Sequence, residues 1–451
     1  MTLARRTFIG AGLSATVWAW RQAPANAANE PTDGFRVIEA GPASAQLAPA
    51  PAAPVQALGY DGATPGPLLR LKLGETLKVR LVNRLTEPTT LHWRGLRIAN
   101  AMAGIGDLTQ KPVAPGGSYN YAITPPDSGF AWYGPHGGAA SAGQIARGLY
   151  GPIVVDEISP PPVDVEAIVA LQDWRLGADG QVDLSATKGD SGRAAALSAN
   201  GAPAPLSFSP APGARVRMRL LNAAPARIMI VGVEGAKPTI VAIDGQPSEP
   251  FEPLRNLMPI GPGARFELIF DMPADVGATV RFVLRGGEAA PTAQEPDRPL
   301  VVFKATGAPV APRPFAGLPA NPLLPKEIDL AQAQRADFAL SGGPPFQVNG
   351  ALAKGPWPEK PLLKVRKGAP VTLGLINKTT SPQAIRWGGH VARLLHALDD
   401  GWEPYWRDSV LLAPGQTAHV AFVADNPGRW PVESAILDCQ AAGGRSFFEV
   451  D

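Results

Sequence analysis

The chain has 451 residues, 45% of them hydrophobic and only 18% charged, and Gly (49) and Pro (50) together make up about a fifth. That is room for roughly three domains at about 150 residues each; it is too apolar for disorder, and so much Gly and Pro excludes a helical bundle and points to short strands joined by turns. The formal charge is +2, and −1 without residues 1–27, which carry Arg5, Arg6 and Arg21, so the electrostatic footprint expected for nucleic acid or an anionic membrane is missing.

The N-terminus reads MTLARRTFIGAGLSATVWAW and then RQAPANA. A basic patch, a weakly apolar stretch and Ala25-Asn26-Ala27 have the layout of a cleavable signal peptide. Arg5-Arg6 before Thr7-Phe8-Ile9-Gly10 has the form of a twin-arginine signal, so residues 1–27 predict export to the periplasm. No later run of about 18 apolar residues follows, and no membrane span is expected in the mature chain.

Beyond the leader, one pattern occurs three times. Leu73–Leu85, Pro212–Ala224 and Lys367–Thr379 each run from a Gly turn into alternating polar and apolar residues that end on Asn83, Asn222 and Asn377. That is the period of a half-buried strand. Upstream of each stands a hairpin dipeptide, Asp61-Gly62, Asn200-Gly201 and Asn349-Gly350, of the kind that favours tight turns. Downstream, a Gly turn enters another alternating strand at 114–126, 261–273 and 413–425. The repeat predicts an all-β chain of three sandwiches, at 30–157, 164–306 and 326–451, with Pro-rich linkers near 158–163 and 307–325.

With these motifs in place, nearly the whole mature chain resembles the three-domain multicopper oxidases. The resemblance is carried by YDGATPGPLLRLKLGETLKVRLVNRL, LHWRGL, GFAWYGPH and GLYGPIVVDE in the first unit. LLNAAPARIMI and IVAIDGQPSEP carry it in the second, and WRDSVLLAPGQTAHVAFVADNPGRWPVESAILDCQAAGG in the third. It implies three cupredoxin-like Greek-key β-sandwiches, a trinuclear copper cluster between the first and third, and a mononuclear electron-transfer copper in the third. Imidazole and thiolate are the ligands such copper prefers.

At the ligand positions the resemblance breaks down. The first His-x-His of the family reads His92-Trp93-Arg94, and the second reads Gly134-Pro135-His136. Gln383, Arg386 and Gly388 stand at the ligand positions of the HPxHxHG block. Glu433, Ser434, Ala435 and Cys439 stand at those of the HCHxxxH block, with Gly444 near the axial position. Ala103 replaces the acid thought to supply protons. The family's full cofactor uses ten histidines and one cysteine; this chain has five histidines, and only His92 and His136 fall on ligand positions. A guanidinium has no lone pair to give and repels a cation.

No catalytic residue and no cofactor are therefore expected, with His92 and His136 left as weak residual metal candidates. Cys439 reads as an inert buried thiol, because the family's cysteine position is Ser434. Arg94, Arg386 and Glu433 are expected to converge as a buried ion-pair network, with His92 and His136 facing Glu433. Trp93, Trp132, Trp387 and Trp430 read as core aromatics. No nucleophilic triad or phosphate loop emerges.

The resemblance then implies an exported, non-catalytic member like the copper-free SufI/FtsP-type cell-division proteins of this family: a monomeric scaffold with a periplasmic protein partner, active in division or envelope stress. One alternative is a divergent copper oxidase acting on phenols or cuprous ions with dioxygen. A second is a periplasmic binding module using the face around Trp402 to Trp406.

Overall fold

A computed structural model describes residues 33–49, 51–184, 195–286, 296–311, 313–396 and 401–451. The twin-arginine segment lies outside the described residues. The architecture is all-β. Within Asp33–Asp156, a sheet ordered Val55–Tyr60, Arg36–Ala45, Leu77–Asn83, Ser118–Ile123 faces one ordered Leu69–Lys72, Gly151–Asp156, Gly129–Gly134, His92–Arg94. A second pair of sheets uses strands between Val165 and Lys304, and a third uses strands between Gln334 and Val450. Gln246–Phe251 pairs with Trp402–Arg407 through Ser248 and Tyr405, so one 13-stranded sheet runs through the second and third units. Among the described residues no helix is long and apolar enough to cross a membrane.

The threefold sequence repeat has a physical cause. In each unit the repeated strand lies parallel to the unit's first strand and antiparallel to the strand after the Gly turn. Asp61-Gly62, Asn200-Gly201 and Asn349-Gly350 all have positive φ at both residues, the tight hairpin geometry that these residue types accept most readily. Asn83, Asn222 and Asn377 are all fully buried. Each Nδ2 donates to two backbone carbonyls, those of Glu87 and Val113, Arg227 and Ile260, Ser381 and Leu412. Each Oδ1 accepts the backbone N–H two residues on, from Leu85, Ala224 and Thr379. The asparagine thus ties the end of its strand to the loop that leaves it and to a second chain segment.

Apolar side chains fill a core in each unit, and a further apolar cluster joins Phe130, Trp132 and Tyr150 of the first unit to Ile168, Leu221 and Ala223 of the second; beside it the seam carries a buried ionic network. On Arg215–Asn222, Val216, Met218 and Leu220 enter the second core while Arg217 and Arg219 face the other way. There they meet Glu157, Glu166 and Glu267, and Arg70 joins Glu166 to Asp156. Replacing Asn222 by Ala strands two buried carbonyls and one N–H. Expected is a loss of about 2–4 kcal/mol in urea unfolding, with the strand content by circular dichroism unchanged.

Candidate functional site

The residues singled out at ligand positions gather in two places. The strand pairing explains the first. His92 stands opposite Gly134 across the pair His92–Arg94 and Gly129–Gly134. In the third unit Arg386 stands opposite Glu433, and Glu433 opposite Arg445, so an Arg–Glu–Arg row crosses three strands. Where the two units face, His136 Nε2 lies 2.8 Å from Glu433 Oε1. The same oxygen accepts Arg386 Nε at 3.0 Å and Nη2 at 2.6 Å. Glu433 is fully buried, which alone would push its carboxyl up and make it a weaker acid. The His136 and Arg386 partners outweigh burial and hold the carboxyl well below the usual carboxylate range.

His92 packs edge-on against His136, ring centroids 4.9 Å apart. Its Nδ1 lies 2.5 Å from the Ala103 carbonyl and donates to it, which leaves Nε2 as the lone-pair nitrogen. Burial, helped by His136 and Arg386, pushes the His92 basicity well below the ordinary imidazole value, so the ring is neutral. Arg94 departs from expectation. Its Nη2 donates to the Pro135 carbonyl at 2.6 Å and its guanidinium lies over the Trp132 ring at 4.7 Å, so it does not join Glu433. Arg386 takes the carboxylate instead, because the sheet register places it directly opposite.

Trp357 and Arg445 were not found by the sequence reading. Trp357 stacks on His136 at 6.0 Å and donates from Nε1 to the Gly106 carbonyl, and the Arg445 guanidinium lies over the Trp357 ring at 5.2 Å. Trp357 sits in an irregular loop with no motif, and only the residue type of Arg445, next to Gly444, hinted at a role. Gly134 and Gly388 occupy closed space. A Cβ at Gly388 would lie 2.8 Å from Pro431 Cδ, and one at Gly134 would lie 3.2 Å from the Leu149 carbonyl.

The second gathering is neutral. Ser434 Oγ donates to Gln383 Oε1 at 3.0 Å and accepts the Ile436 N–H at 3.1 Å. The Ser434 hydroxyl also partners the Cys439 thiol, which burial pushes up to about 12. A Cβ on Gly444 would come within 2.6 Å of Cys439 Sγ. Gln383, Ser434, Cys439 and Gly444 therefore still converge on one buried point. Ala435 is buried beside them, its N–H donating to the Ala384 carbonyl. Trp93, Trp132, Trp387 and Trp430 are all buried, as core aromatics should be.

Neither gathering fits copper. In the first, a guanidinium shares with His136 the only carboxylate that could join the imidazoles. In the second, an amide, a hydroxyl and a protonated thiol replace imidazole and thiolate donors. Among the described residues no three His, Cys, Asp or Glu side chains stand close enough to hold a metal ion.

The other histidines do other work. His390 is buried against Phe422, Trp430 and Phe448 and its Nε2 accepts the Asn426 N–H at 3.2 Å. His419 is exposed, and His396 borders a groove of about 700 Å³ between the second and third units. Arg265 closes those units together. It donates to Asp408 at 2.6 Å, to the Asp244 carbonyl at 2.7 Å and to the Phe130 carbonyl of the first unit at 3.2 Å.

The chain matches two family models described as multicopper oxidase, over residues 43–159 and 320–447. It is 29% identical to the multicopper oxidase MmcO of Mycobacterium tuberculosis, over 94% of this chain and 92% of that one. Among solved structures, a multi-copper oxidase from Pseudomonas thermotolerans is 31% identical with a TM-score of 0.81, covering 92% of this chain and 99% of that one. Lac15 from a marine microbial metagenome is 30% identical with a TM-score of 0.75, at the same coverage.

Two outcomes follow from this geometry. Glu433→Gln leaves Arg386 without its counter-charge and should cost about 3–5 kcal/mol in urea unfolding, whereas Arg386→Met with Glu433→Leu should cost less than either change alone. Burial pushes His390 down to about 4, against the pull of Asp425 and with the push of Arg97. The unfolded chain therefore takes up a proton that the folded one refuses. This contribution to stability is complete above pH about 6.5 and falls by about 3 kcal/mol as pH drops to about 4. Unfolding free energies of His390→Phe across that range should show a correspondingly flatter acid limb.

Proposed function

The chain belongs to the multicopper oxidase family, and we propose that within it this is a copper-free, non-catalytic member acting in the periplasm. The observation that carries this reading is the bond set on Glu433. Arg386 and His136 meet on one buried oxygen where the family resemblance implies a copper cluster. A guanidinium and a carboxylate there neutralise each other, so a further cation would gain little and would meet repulsion. The Gln383–Ser434–Cys439 cluster supports the same reading, since its thiol stays protonated and cannot relay electrons through a bound metal.

In this reading the three-unit body serves as a monomeric scaffold for a periplasmic protein partner, in the manner of the cell-division proteins it resembles, during division or envelope stress. Its leader supports twin-arginine export, the route for proteins that fold before crossing. The relatives named as oxidases supply the competing reading, a divergent enzyme that oxidises phenols or cuprous ions. Metal analysis separates them. Protein exported from copper-supplemented cells should carry copper at a stoichiometry near zero, show no blue absorbance and leave a phenolic dye unoxidised. Copper at one or more per chain with dye turnover would establish the enzyme instead.

The groove between the second and third units favours a binding role as a second reading. Glu403, Tyr405 and Arg407 line it, with Leu394 and Phe266. Trp402 and Trp406, expected from sequence to form this face, do not line it, because side chains alternate along the strand.

A further inference from the structure

Beside the Glu433 row lies a second feature, a cavity of about 30 Å³ at the meeting of all three units. Four guanidinium side chains line it: Arg94, Arg97, Arg265 and Arg386. Three of them have carboxylates. Arg97 bonds Asp127 and Asp425, Arg265 bonds Asp408, and Arg386 bonds Glu433. Arg94 has none among the described residues. It is 2% exposed, its Nη2 is spent on the Pro135 carbonyl, and its Nε and Nη1 have no hydrogen-bond partner.

A guanidinium keeps its proton under any physiological condition, so burial cannot neutralise it as it would a lysine. Stacking on Trp132 offsets part of the lost hydration through the ring's negative face. The charge itself remains uncompensated inside a closed junction. The neighbouring acids do not supply the balance. Glu433 is already shared by Arg386 and His136, and Asp408 by Arg265 together with the Asp244 environment. His92 on the cavity wall is neutral and adds no charge of either sign.

We propose that this cavity is a binding site for one monoatomic anion, chloride in the periplasm, held by Arg94 with Arg386 on the opposing unit. Size selects it. A space of about 30 Å³ takes one or two water-sized bodies, which admits a halide and leaves no room for phosphate, sulfate or a carboxylate metabolite. The surrounding arginines exclude cations. A bound halide bridges the first and third units, so the folded chain is stabilised by mass action while the unfolded chain gains nothing. The proposal rests on the copper-free reading, since a filled metal cluster would occupy the same junction.

Bromide is the probe. Crystals of the exported full-length protein soaked in sodium bromide should show an anomalous peak in this cavity, within hydrogen-bond distance of Arg94. In solution, chloride and bromide should stabilise the protein in a saturable way, shifting the unfolding equilibrium about a hundredfold at a hundred times the Kd, while gluconate at equal ionic strength should not. Arg94→Gln should lose the halide-specific increment. An empty or water-filled cavity in the bromide-soaked wild type overturns the proposal, as does equal stabilisation by gluconate. The wild-type diffraction needs no variant to fold. Data collected at the copper edge on the same crystals distinguish the two failures: a copper signal sinks the copper-free reading, whereas absent copper with absent bromide sinks only the halide site.

Discussion

One buried oxygen organises the junction between the first and third units. Glu433 Oε1 receives His136 from one side and Arg386 from the other. A carboxylate with no access to water is tolerated only where cations and donors converge on it, so its position dictates its neighbours. Arg386 must stand directly across the sheet. His136 must leave its strand at an angle that reaches across the seam, and its backbone is held there by Thr90, which accepts its N–H at 2.8 Å. Trp357 then packs on the imidazole face, and Arg445 covers Trp357. Moving His136 or Arg386 would leave the Glu433 carboxylate short of a partner.

The same physics recurs at every seam. Each sandwich is apolar inside, and where sandwiches meet, buried guanidinium and carboxylate pairs stand beside apolar contacts such as Trp132 and Tyr150 against Ile168 and Leu221. Arg97 joins Asp127 of its own unit to Asp425 of the third. Arg265 touches all three units through Phe130, Asp244 and Asp408, and Asp408 is held up at about 6 by burial against that arginine's pull. The seam acid is thus easier to keep neutral than an ordinary aspartate. Hydrophobic burial supplies the folding of each unit, while these pairs contribute modestly to net stability and strongly to the arrangement, because a misdocked unit would bury unpaired charge. On Arg215–Asn222 both roles sit on one strand, valine, methionine and leucine to the core and arginines to the seam.

How much of this was legible in the sequence depended on how local the cause was. The Asn staples and the paired positive-φ turns announce themselves, since each needs particular residue types at a fixed offset. Cys439, expected as a buried thiol, is buried, and burial pushes it up to about 12. Arg94 did not read correctly. Its guanidinium lies over Trp132, directly opposite it in the sheet, and its Nη2 is bonded to the Pro135 carbonyl. Trp357 lies in no motif, and Arg265 and Asp408, though they fall within patterned segments, gave no sign of their partners, because only the packing of units brings them together.

The two gatherings differ in physical kind. Gln383, Ser434 and Cys439 converge through neutral hydrogen-bonding groups on one buried point in the third sandwich. The junction is different. At Gly134 and Gly388 a side chain would meet Leu149 and Pro431, and a carboxylate with two arginines crosses the sheet beside them. An imidazole placed at Gly388 would collide with Pro431, and one at Arg386 would strand Glu433. The packing is therefore cooperative: each residue is tolerable because of the others, and the charge pattern at the seam is what makes them hold together.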